Sequence, residues 1–143
     1  MLIPTCVIKL LELTLAVACL TLHHYSYDLT DIPTLILYSG TYMGYVIVLS
    51  GEIVGEAVSA AADAYIDAWW SAIGSVLFGA CGALTLNNWK YVPDCARHRQ
   101  ASTTAVCAFT AAALFLLDAL IALCSAHKDA DSIRSKSSKR CSP

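Results

Sequence analysis

The chain has 143 residues, 57% of them hydrophobic and only 14% charged, where a soluble domain carries roughly a quarter charged residues. Nine Lys and Arg against eleven Asp and Glu give a formal net charge of −2, so no basic excess points to nucleic acid. The apolar residues gather into four stretches, each near the ~20 residues needed to cross a ~30 Å hydrocarbon core, and what remains is too short for a soluble catalytic domain or a nucleotide fold.

The first span covers residues 4–22. Lys9 and Glu12 stand three apart within it and share a helical face with Ala16 and Cys19. A secretory signal carries its positive charge ahead of the apolar core, so charges inside the stretch read as a bundle helix. The second span, 34–54, places Gly40, Gly44, Gly51 and Gly55 in one stripe roughly 60° wide at 100° per residue. Small residues at this spacing let helices approach closely in lipid, either within a bundle or between subunits. Glu52 lies at the inner end of the same span.

The third span, 69–88, is bracketed by Trp69 and Trp70 on one side and Trp89 and Tyr91 on the other, as interfacial aromatics would be. Ser71, Ser75, Gly79 and Ala83 follow one another at four-residue intervals and predict a second packing face. The fourth span, 101–124, carries Asp118 on a face with Thr104, Cys107, Ala111 and Ala122. The sequence therefore predicts an all-α membrane protein with one four-helix bundle over 1–124. Residues 125–143 are expected to be a disordered basic, serine-rich tail, drawn to anionic lipid and open to phosphorylation.

Orientation follows from the Lys and Arg positions. The tail holds Lys128, Arg134, Lys136, Lys139 and Arg140, while the stretch from His23 to Pro33 holds none, so both termini are expected in the cytoplasm. Cys6, Cys19, Cys81 and Cys107 fall in spans and only Cys95 faces outside, which argues against a disulfide framework. Cys124 and Cys141, beside the membrane and among basic residues, are candidate palmitoylation sites. No Cys/His grouping has metal-ligand spacing, and no catalytic residue, metal or cofactor is expected.

Ionisable groups inside spans are costly and each needs a reason. For Lys9, Glu12, Glu52 and Asp118, one account is a structural ion pair, Lys9 with Asp118 or Glu12, that fixes helix register. The other makes one of the carboxyls a proton or cation site.

Four segments carry a family resemblance. They are Val7-Ile8-Lys9-Leu10-Leu11, Ser39-Gly40-Thr41-Tyr42-Met43-Gly44-Tyr45, Asn88-Trp89-Lys90-Tyr91 and Ala113-Leu114-Phe115-Leu116-Leu117-Asp118. In order and spacing they resemble the insect snakeskin family, small four-span membrane proteins of the smooth septate junction. The resemblance implies a plasma-membrane protein at the lateral junction of a gut or renal-tubule epithelium, not an enzyme. Its implied partners are membrane lipids, other junctional membrane proteins and further copies of itself. A rival reading is a small proton-coupled transporter with Glu12 as its coupling group; a third is an accessory subunit of a larger membrane complex.

Overall fold

A computed structural model describes residues 2–26, 31–58, 60 and 63–141. They form four α-helices: α1 (Leu2–Ser26), α2 (Ile32–Ala57), α3 (Ala64–Trp89) and α4 (Ala96–Arg140). All four are long and apolar enough to cross a membrane. The fold class is the one expected, an all-α membrane protein built on four spanning helices.

Helix starts follow local chemistry. Asp31 precedes α2, whose first turn contains Pro33, a residue suited to a position where the backbone N–H has no partner anyway. Asp63 precedes α3, and its carbonyl accepts the N–H of Asp67. Before α4, Cys95 takes the extended capping conformation and its Sγ accepts the N–H of His98 at 3.4 Å.

The longest and closest packing is between α3 and α4. α1 packs against α4 and α2, whereas α2 touches α3 only lightly. The bundle is thus a ring in the order α2, α1, α4, α3, with a seam between its last and first members. The tight α3–α4 contact comes from small residues: Ala105, Ala108, Ala111, Ala119 and Ala122 are buried on α4, and Ser71, Gly74 and Gly82 on α3. Rings fill the centre. Phe78 lies 5.4 Å from Tyr42, 5.5 Å from Tyr45 and 5.3 Å from Phe115, centroid to centroid. The outer surface carries Leu10, Leu11, Ile36, Ile47, Val76, Val106, Leu116 and Leu117, a belt that water would not tolerate and lipid does.

Ser75 Oγ donates to the Ala112 carbonyl at 2.9 Å, across the α3–α4 contact. Ser75→Ala is expected to lower thermal stability in lipid nanodiscs modestly, by about 0.5–1 kcal/mol, as interhelical hydrogen bonds in membranes generally contribute.

Two expectations need correction. The segment after Cys124 is not disordered: α4 continues unbroken to Arg140. Between Ala96 and Arg140 the chain has neither glycine nor proline, alanine recurs, Ala126 prolongs the buried stripe, and Lys139 and Arg140 sit favourably against the C-terminal dipole. Low hydrophobicity in this stretch does not prevent a helix, because its residues keep adequate helix propensity. Ser142 and Pro143, the end of that expected tail, lie outside the described residues.

The second correction concerns the glycine stripe of α2 as a contact within the bundle. A Cβ added to Gly40, Gly44 or Gly51 would meet open space, and one on Gly55 would meet only the Ala60 carbonyl, at 3.2 Å. The stripe lines the α2–α3 seam, because Tyr45 and Phe78 hold those helices apart. Close approach occurs instead at Gly74 and Gly82, whose added Cβ atoms would lie 2.8 Å from the Tyr45 ring and 3.2 Å from the Phe109 ring.

Candidate functional site

The inner face of α1 carries Lys9, Glu12, Ala16, Cys19 and His23, alternately three and four residues apart and all buried. Charge is concentrated at the end of the bundle where α1 begins, α2 ends, α3 begins and α4 passes. There Lys9 Nζ lies 2.6 Å from Asp67 Oδ1, 2.7 Å from Asp118 Oδ2 and 3.0 Å from Glu52 Oε2. One lysine from α1 therefore meets a carboxylate from each of the other three helices. Ser71 Oγ donates to Asp118 Oδ2 at 2.7 Å and lies 3.5 Å from Lys9 Nζ. The Glu52 contact is an ion contact without hydrogen-bond alignment, as Glu52 Oε2 has no aligned hydrogen bond among the described residues.

Burial at this point is deep: Lys9 is 3% exposed and Asp118 1%. Side chains so placed stay charged only when matched, and the match here is unequal, three carboxylates to one ammonium. Glu12 adds a fourth acid one turn along α1. It is fully buried, and neither of its oxygens has a hydrogen-bond partner among the described residues. Asp118 Oδ1 is likewise without one.

Two clefts reach the cluster. One of about 330 Å³ opens at the α2–α3 seam and is lined by Lys9, Glu52, Glu56, Asp67, Gly51 and Trp70, among others. The second, about 170 Å³, is lined by Thr5, Asp67, Asp118 and Ser125 on the other side. At the opposite end of the bundle, His23, Tyr38 and Tyr42 gather with ring centroids 5.2–6.3 Å apart. Their Nε2 and hydroxyl groups are buried and make no aligned hydrogen bond among the described residues.

Of the residues singled out from sequence, Lys9, Glu52 and Asp118 come together, with Glu12 beside them. Ser71 and Ser75 face α4, and Gly79 sits 4.0 Å, by an added Cβ, from Ala112 Cβ. Ala83 is exposed and takes no part in that contact. Cys124 and Cys141 are free and exposed. Trp69 and Trp70 are exposed as interfacial rings should be, but Trp89 is buried against the His98 ring.

Asp67 lies just outside the third span that Trp69 opens in the sequence, and so is absent from the residues singled out there. A signal did exist: Asp67, Ser71, Ser75 and Gly79 form one series at four-residue steps. Among the described residues no three His, Cys, Asp or Glu side chains converge as metal ligands.

No curated protein and no solved structure matches the chain. A family model for a domain of unknown function, DUF7775, matches residues 5–125, which hold all four spans and every member of the Lys9 cluster. Over that length the chain belongs to the DUF7775 family.

Proposed function

We propose that this chain is a structural four-span protein of the epithelial smooth septate junction. Both termini lie in the cytoplasm, and the protein works by assembling with other membrane proteins to form the paracellular barrier, without catalysis. The resemblance to the snakeskin family supplies the junction. The observation that carries assembly is the α2 face at Gly40, Gly44 and Gly51, left uncovered by its own bundle. In lipid, where hydrophobicity does not drive helices together, a face of small residues is a surface on which a neighbouring helix can lie closely.

The test is localisation and association in a polarised epithelium. Tagged protein should stain the lateral junction and co-purify with other junctional membrane proteins. Gly44→Leu and Gly51→Leu should leave the isolated bundle folded, since the new side chains enter open space, yet reduce co-purification severalfold. Should both variants associate as the parent does, the face belongs to lipid and the assembly argument fails.

A second reading has its own observation. Four acids around one lysine, reached by clefts, also suit a small proton-coupled transporter or an accessory subunit of a membrane complex. Uniform apical or vesicular staining would favour it over the junction.

A further inference from the structure

We propose that Glu12 is a proton-binding site, occupied in the resting bundle and exchanging with the aqueous phase through the Lys9 cluster. The inference does not depend on the junction reading. It starts from counting charges: Lys9 is the one cation among Glu12, Glu52, Asp67 and Asp118, and the last three stand within 3.0 Å of it. Each helix contributes to the surroundings of Glu12: Lys9 from α1, Tyr45 and Glu52 from α2, Asp67 from α3, and Asp118 from α4.

An ionised Glu12 would add a further negative charge to a group already in excess, in a place without water-like screening. Leaving an ion buried and unmatched costs several kcal/mol. A bound proton removes that charge and converts one oxygen into a donor, so the neutral carboxyl is the form that fits. The carboxyl is fully buried, and among the described residues no donor reaches either oxygen to stabilise a carboxylate.

The cluster also supplies a way out. Among the described residues Asp118 Oδ1 has no hydrogen bond and Glu52 Oε2 has only its ion contact with Lys9, and each belongs to a residue lining a cleft. Exchange moves a proton from the Glu12 carboxyl, directly or through bound water, onto one of these oxygens and then to water in the cleft. No bond other than O–H forms or breaks, and the carboxylate left on Glu12 is reprotonated by the reverse path.

The experiment uses the full chain in lipid nanodiscs. Infrared spectra at neutral pH should contain the carbonyl stretch of a protonated carboxyl, lost in Glu12→Gln and retained in Glu56→Gln. Dicyclohexylcarbodiimide, which adds to protonated carboxyls in apolar surroundings, should label Glu12 and should not label the Glu12→Gln variant. Because the folded bundle then binds one more proton than the unfolded chain, parent stability should fall as pH rises, and Glu12→Gln should flatten that dependence. A spectrum without the protonated-carboxyl band, or a band that survives Glu12→Gln, overturns the assignment.

Discussion

Lys9→Met is expected to be the most damaging single substitution in the charged cluster. It leaves Glu52, Asp67 and Asp118 facing one another at the end of the bundle with no cation between them. Breaking a buried pair from one side costs roughly 3–5 kcal/mol in soluble proteins, and three stranded carboxylates exceed one. Asp118→Asn should cost less, because Lys9 keeps Asp67 and Glu52 and Ser71 keeps an oxygen to donate to.

The asymmetry makes rescue informative. If Lys9 had a single partner, Lys9→Met with Asp118→Leu would restore folding. With three partners it should not, whereas Lys9→Met combined with Glu52→Gln, Asp67→Asn and Asp118→Asn should recover much of the loss. Monodisperse yield and thermal stability in nanodiscs read the comparison. Recovery in the simple double variant would reduce the cluster to a pair.

Gly74 is the second sensitive point. An alanine Cβ there would lie 2.8 Å from Tyr45 Cε1 and 3.1 Å from the Phe115 ring. Neither ring can step aside cheaply. Tyr45 donates its hydroxyl to the Trp70 carbonyl at 2.9 Å and is wedged against Phe78, and Phe115 is 1% exposed. Overpacking of this kind costs about 1–3 kcal/mol, more than the ~1 kcal/mol that alanine gains over glycine in a helix. Gly74→Ala should therefore lower thermal stability, and Gly74→Leu should prevent folding. Gly44→Leu, which meets open space, should do neither. Equal tolerance at positions 44 and 74 would show that the α3–α4 contact is looser than its geometry.

Much of the fold was legible because lipid imposes a single length scale: four apolar runs of spanning length admit few arrangements. The acidic partners of Lys9 were partly legible, since a charge in a span needs a partner and few were on offer. What the sequence could not supply was the order of helices around the ring. Gly44 and Gly74 sit in equally apolar surroundings, and only the seam between α2 and α3 decides that the first is open and the second crowded. Asp67 was hidden by an interfacial tryptophan pair that marks the edge of the hydrocarbon, not the end of the helix.

The unbroken run of α4 sets a distance. From Cys124 to Arg140 it rises roughly 24 Å along its axis, and a spanning helix tilted by the common ~20° keeps most of that height. With the hydrocarbon edge at Cys124, Lys139 and Arg140 then stand beyond the ~8 Å over which a charged headgroup is felt at physiological salt. The basic tip is held away from the bilayer on a stiff post, so its charge addresses whatever lies in the adjoining aqueous layer. The length of the post, fixed by the number of residues in it, sets how far from the membrane that encounter takes place.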